Sequence, residues 1–209
     1  MLSVAIGGCS DMHSRSNSTA VYMLLDSSGT YTEELAKAQT IVNYLLMMLD
    51  SGDSIAVARI DSGSFSEKDI IAKVTFDERP SAAIAQKKDF KHLVDQFIDV
   101  AKGSAHTDIS GGVLQASQFL DETGAAKKYV LIFSDLEEDL IKSHIRDFAI
   151  PLEGVQVVAL NVTKLRADNI DPRKYLQRLD LWQKRINDGG GDWRVVNDLE
   201  HLDRLLSVN

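Results

Sequence analysis

Apolar runs and amphipathic stretches alternate along this chain. Val21-Tyr22-Met23-Leu24-Leu25 is a continuous apolar run, too short for a helix, that ends at Asp26. A run of that length bounded by turn residues predicts a strand buried on both faces. The period then changes. Leu35, Ala38, Val42, Leu45 and Leu49 recur every three or four positions and stop at Ser51-Gly52, which predicts a helix. Thr32 stands before it as a capping hydroxyl, with Glu33 and Glu34 suitably placed in its first turn. Ser54 to Ile60 reads as a second strand, and Lys73 to Phe76 as an antiparallel edge strand returning beside it before Pro80.

The alternation continues to the end. Phe90, Leu93, Val94, Phe97 and Ile98 stripe a second helix, and Ile109, Val113, Ala116 and Leu120 a third that starts just after Thr107. Tyr129 to Phe133 is a strand closed by Ser134 and Asp135. Leu140, Ile141, His144, Ile145 and Phe148 stripe the helix expected behind it. Val155 to Val162 is a further buried strand. Tyr175, Leu179, Trp182 and Ile186 mark a helix halted by Gly189-Gly190-Gly191, and Trp193 to Val196 and Leu199 to Leu206 supply a last strand and helix. Strands alternating with helices predict a doubly wound α/β domain: a mostly parallel sheet, helices on both faces and one antiparallel edge strand.

Size and charge narrow the function classes. The 209 residues suit one domain with a substantial core. A net charge of −8 argues against a general nucleic-acid binder, which carries a basic footprint. No run of the sequence is long enough to span a bilayer. The single cysteine, Cys9, rules out an intrachain disulfide.

Cys9 follows Ile6-Gly7-Gly8, and this stretch resembles a bacterial lipobox, in which the cysteine is acylated. The expectation is then a truncated lipoprotein signal and polar tether over residues 1–19 and the domain over residues 20–209. Anchoring through Cys9 would hold the domain in the periplasm, and Ser10 in place of an aspartate points by the same resemblance to the outer membrane. A signal peptide needs a basic leader and a longer apolar core, which Met1 to Ile6 does not supply. The alternative is a frayed N-terminus on a cytoplasmic protein.

The chemistry gathers at strand ends. Asp26-Ser27-Ser28-Gly29-Thr30 presents a carboxylate and two further hydroxyls in one turn, a set of hard oxygens suited to Mg²⁺. His106-Thr107-Asp108-Ile109-Ser110-Gly111-Gly112 is a polar turn entering a helix, and Ser134-Asp135 ends the strand before it turns. In an open α/β sheet, ligands collect beyond the carboxyl ends of the strands, where strand order reverses. These three segments together resemble the metal-ion-dependent adhesion site of von Willebrand factor A (VWA, integrin I-like) domains: Asp-x-Ser-x-Ser/Thr, a lone Thr, and an Asp ending the fourth strand. The resemblance runs from Val21 to the end of the chain.

It implies a Mg²⁺ or Mn²⁺ site of Asp26, Ser28, Thr30, Thr107 and Asp135. Ser28 and Thr30 would coordinate directly, Thr107 directly or through water, and the two aspartates often one layer out. Neutral hydroxyls leave much of the ion's charge uncancelled, so a partner protein's acidic residue can complete the coordination. The implied function is a non-enzymatic protein-binding module for adhesion or assembly.

Three other readings stand beside it. The turns can serve only as helix caps; the domain can be a metal-free scaffold in a complex; or Asp26 can be a phosphohydrolase nucleophile, although Ser28 stands where that chemistry wants a second carboxylate. Leu136 departs from the glycine that often follows the last aspartate in relatives. Glu137, Glu138 and Asp139 suit a helix N-terminus. Asp61-Ser62-Gly63-Ser64 imitates the first motif but has glycine where a hydroxyl is needed. His106 is a candidate for the rim, Gly111 and Gly112 for close backbone packing, and the basic Arg173, Lys174, Arg178, Lys184 and Arg185 read as a solvated helix face.

Overall fold

The computed structural model describes residues 15–28, 31, 34–61, 66–101, 103, 104, 106–140, 148–200, 202, 205 and 206. Its elements follow the order β1 (Arg15–Asp26), α1 (Leu35–Met48), β2 (Ser54–Ile60), β3 (Ile70–Thr75), α2 (Pro80–Val100), α3 (Ile109–Thr123), β4 (Ala125–Phe133), β5 (Val155–Leu160), α4 (Arg166–Ile170), α5 (Arg173–Asp188) and β6 (Asp192–Val196). One six-stranded sheet runs β3-β2-β1-β4-β5-β6. All neighbours are parallel except β2 and β3. This is the mostly parallel sheet with an antiparallel edge that the pattern predicts.

Continuous apolar runs become strands because both faces of the sheet are covered. Along β1 the period of two sends Val21, Met23 and Leu25 into one core and Ala20, Tyr22 and Leu24 into the other. Leu35, Leu45, Phe90 and Val94 of α1 and α2 close the first face. Ile109, Val113, Trp182 and Ile186 of α3 and α5 close the second. Burying each such large apolar side chain contributes roughly 1.5–3 kcal/mol. Gly112 does permit close packing: a Cβ on it would come 2.8 Å from Leu24 Cδ2, so its bare backbone lets α3 lie close on β1.

Several boundaries differ from expectation. β1 begins at Arg15, so residues 15–19, read from their polarity as tether, belong to the sheet. Thr19 and Ala20 pair with Lys127 and Lys128, and the Thr19 N–H donates to Asp53 Oδ1 at 2.7 Å. Backbone pairing does not need apolar side chains, so composition hid this part of the strand. Pro80 opens α2 rather than only closing an edge strand, as suits a residue without an N–H in a first helical turn. Cys9, Thr32, Glu33 and Ser62 to Ser64 lie outside the described residues, as do residues 141–147 of the expected helix behind β4 and residues 201, 203 and 204 of the last one.

The topology fixes where a site can form. From β1 the chain moves to β2 on one side, and later crosses through α2 and α3 to β4 on the other. The strand order reverses between β1 and β4, opening a crevice beyond their carboxyl ends. Asp26 ends β1 there, and Ser134-Asp135 follows β4.

Candidate metal centre

Parallel register sets the first contact. Leu25 pairs with Phe133, so Ser134 comes to lie beside Asp26, and its Oγ–H donates to Asp26 Oδ2 at 2.6 Å. The other oxygen, Asp26 Oδ1, accepts the Ser28 N–H at 2.8 Å. Asp26 is fully buried, and burial pushes its carboxyl above the ordinary value against the hydrogen bonds of Ser134 and Ser28. From its position Ser134 is only a hydroxyl at a strand end. The structure makes it the direct partner of the central carboxylate.

Asp135 lies at the same edge and is also buried. Its Oδ1 accepts the Glu137 N–H at 2.9 Å. Burial raises its carboxyl to about 6, and the charge of Asp26 adds to the rise while the Glu137 N–H and Arg178 oppose it. The two carboxylates thus sense one another across the crevice. Among the described residues neither is in an ion pair. Neither caps a described helix: each closes a local turn two residues on, and α1 has no side-chain cap.

The remaining candidates arrive on two loops stitched to this edge. Ser104 donates its N–H to Ser27 O at 2.6 Å, which brings the loop before α3 alongside Ser28. The Ser104 hydroxyl donates to Asp61 Oδ1, so the residue that follows β2 braces that loop. Thr107 and Asp139 exchange backbone hydrogen bonds at 2.9 and 3.0 Å, tying the loop to the limb that carries Asp135. Thr107 is buried, and Asp108 caps α3 by accepting the Gly111 N–H at 2.8 Å. Asp26, Ser28, Thr107 and Asp135 therefore sit on three segments that the fold joins at one sheet edge. Thr30 lies outside the described residues.

The structure also answers the glycine departure. Leu136 adopts φ +64°, the left-handed region in which glycine is unstrained and a branched side chain costs roughly 1–2 kcal/mol. It is held there by burial of its side chain and by Trp182, whose Nε1–H donates to Leu136 O at 3.1 Å. Arg178 Nε donates to the preceding carbonyl, Asp135 O, at 2.8 Å. Arg178 and Arg185 are thus no solvated face: their side chains are 11% and 24% exposed. The detectable signal was position, since both fall on the side of α5 that carries Tyr175, Trp182 and Ile186.

Glu138 does serve a helix N-terminus, but that of α3: its Oε1 accepts the Ser110 N–H at 2.7 Å. His106 Nδ1 lies 3.2 Å from Asp139 Oδ2, on the limb that follows Asp135.

Whether such a site suits a cation depends on its donors. Among the described residues no group of three or more His, Cys, Asp or Glu is arranged to hold a metal ion. What the edge offers among the described residues is two buried carboxylates outside any ion pair, on segments joined to those that carry Ser28 and Thr107. Oxygen-only donors of that kind fit a hard divalent cation such as Mg²⁺ or Mn²⁺. A cation would offset the burial that chiefly raises the Asp135 carboxyl and the Asp26 charge that adds to it.

The same arrangement of strands and helices occurs in solved structures. A von Willebrand factor type A protein from Catenulispora acidiphila superimposes with a TM-score of 0.56 at 16% identity, over 90% of this chain and 40% of that one. The fold is of the von Willebrand factor A type. The pilus adhesin SpaC from Lactobacillus rhamnosus GG, in its open conformation, matches with a TM-score of 0.57 at 12% identity, over 92% of this chain and 29% of that one. An aerotolerance-related membrane protein from Bacteroides fragilis matches with a TM-score of 0.50 at 15% identity, over 90% of this chain and 96% of that one. The chain therefore spans less than half the length of the first two. No protein-family model and no curated protein matches the sequence.

Proposed function

We propose that this chain is a non-enzymatic protein-binding module whose contact depends on a divalent cation, Mg²⁺ or Mn²⁺. The reading is carried by one observation: two buried carboxylates, Asp26 and Asp135, face one crevice at the point where strand order reverses, and among the described residues neither is held in an ion pair. Asp26, Ser28, Thr30, Thr107 and Asp135 would hold the ion. When bound, the cation supplies a Lewis-acidic position that a partner's carboxylate can occupy. Ser134 orients Asp26 for this role, and the Glu137 N–H orients Asp135. The adhesin among the structural neighbours supports a surface-contact function for this fold. A lipid anchor on Cys9 would place that contact outside the cytoplasm, a separate proposal that fatty-acid labelling of the full-length protein in cells would decide.

Burial weighs against Asp26 as a nucleophile. Both of its oxygens already accept hydrogen bonds from the protein, and the side chain has no exposed surface for in-line attack.

The test is calorimetric titration of Mn²⁺ and Mg²⁺ into wild type and Asp26→Asn, which keeps an acceptor for the Ser28 N–H but removes the charge. Wild type should bind one ion and gain thermal stability by mass action; the variant should do neither. No binding to wild type at millimolar cation refutes the metal site and favours a metal-free scaffold. A pulldown in Mg²⁺ and then in chelator addresses the partner, whose capture should be lost with the ion.

A further inference from the structure

Helix α5 contributes none of the candidate ligands, yet one of its faces grips the limb that does. Arg178, Trp182 and Arg185 stand at spacings of four and three, a single stripe of the helix. Arg178 Nε reaches Asp135 O, Trp182 Nε1 reaches Leu136 O, and Arg185 Nη1 lies 3.3 Å from Glu138 Oε2. The contacts run in step along residues 135, 136 and 138. They are also braced from behind. The remaining two nitrogens of Arg178 engage the buried Asp168 carboxylate at 2.8 and 3.3 Å, which fixes the guanidinium. The Arg185 guanidinium lies 5.5 Å from the centre of the Trp182 ring.

We propose that α5 is the positioning element of the cation site: Arg178, Trp182 and Arg185 hold the 135–138 limb in its left-handed turn and so set cation affinity without supplying a ligand. This rests on the metal-binding reading above.

The physical reason lies in the backbone at Leu136. A leucine at φ +64° relaxes toward negative φ once its restraints are removed. That rotation swings the Asp135 side chain, one residue back, away from Asp26. Glu138 extends the restraint to the second loop, because its carboxylate bridges Arg185 to the Ser110 N–H in the first turn of α3. One helix face thereby aligns the segment bearing Asp135 with the helix that follows Thr107. Residues that orient metal ligands in this way commonly change affinity by about 10–100-fold when removed.

The test compares two losses of a hydrogen bond to a backbone carbonyl. Trp182→Phe keeps the ring and removes only the N–H to Leu136 O. Tyr129→Phe removes the hydroxyl that donates to Leu206 O at 2.9 Å, away from the site. Mn²⁺ is titrated into the full chain by calorimetry, and thermal midpoints are measured in chelator. Trp182→Phe should weaken Mn²⁺ binding about tenfold or more, and Tyr129→Phe should leave it at the wild-type value while lowering the midpoint to a similar degree. Without any cation, the amide resonances of residues 135–138 should shift in Trp182→Phe and not in Tyr129→Phe.

Wild-type affinity in Trp182→Phe overturns the positioning role, as does an equal loss in both variants. If wild type binds no Mn²⁺, the metal reading fails and the control of affinity fails with it, whereas the resonances still report whether α5 orders the limb.

Discussion

Replacing Asp135 by Asn should make the metal-free protein more stable, not less. The carboxyl is raised from 3.8 to about 6, chiefly by burial, with the Asp26 charge adding to the effect. In the unfolded chain it returns to the ordinary carboxylate value. Between about pH 4 and 6 the folded state therefore keeps a proton that the unfolded chain has released. Raising the pH through that window removes stability, and the loss is complete above pH 6. A rise from 3.8 to about 6 corresponds to ~3 kcal/mol at neutral pH. Asn is neutral at every pH in this range and its Oδ1 still accepts the Glu137 N–H.

Urea unfolding in chelator at intervals from pH 4 to 8 measures this directly. Wild type should lose stability toward pH 6, Asp135→Asn should show a shallower fall, since Asp26 is shifted in the same direction, and at pH 7.5 the variant should lead by about 1–3 kcal/mol. Adding Mg²⁺ should reverse the ranking by stabilising only wild type. A variant less stable than wild type at pH 7.5 in chelator, or a flat wild-type profile, refutes the reasoning.

Three further outcomes are expected. Gly112→Ala should cost about 1–3 kcal/mol in urea unfolding, because its Cβ would come 2.8 Å from Leu24 Cδ2 and push α3 off the sheet; an unchanged midpoint would show that Leu24 yields freely. Asp168→Asn should destabilise by about 3–5 kcal/mol, since it leaves the buried Arg178 guanidinium uncompensated, whereas Asp171→Asn at the exposed pair with Arg173 should leave the unfolding midpoint in place. Thr107→Ala should weaken Mn²⁺ binding more than folding, because its pairing with Asp139 is made by backbone atoms and survives; a variant that unfolds readily yet binds normally would mark the hydroxyl as structural.

The legible part of the molecule was local. Val21 to Leu25 alternates between two cores because side chains in a strand alternate between faces, and Leu35 to Leu49 follows the helical period because one face of α1 meets the sheet. Asp26 and Asp135 stood out because a carboxylate at the end of an apolar run marks a strand leaving the core. These signals lie within a few residues of one another, so the chain alone carries them, and with them the α/β alternation and the edge at which a site can form.

What the chain alone left open depends on partners far away in sequence. Ser134 meets Asp26 only through the parallel register of β1 with β4, 108 positions apart. Glu138 serves the N-terminus of α3, because Thr107 and Asp139 pair and set the two loops side by side. Arg178 and Arg185 look like solvent-facing cations until α5 packs against the 135–138 limb. Leu136 has no local reason to adopt φ +64°: for leucine that conformation is unfavourable alone, and it persists because a buried side chain and the Trp182 indole hold it. Local periodicity selects the elements, since it reflects how one segment meets a core; the site is decided by tertiary packing, since only there do the restraining donors from α5 reach the loop they order.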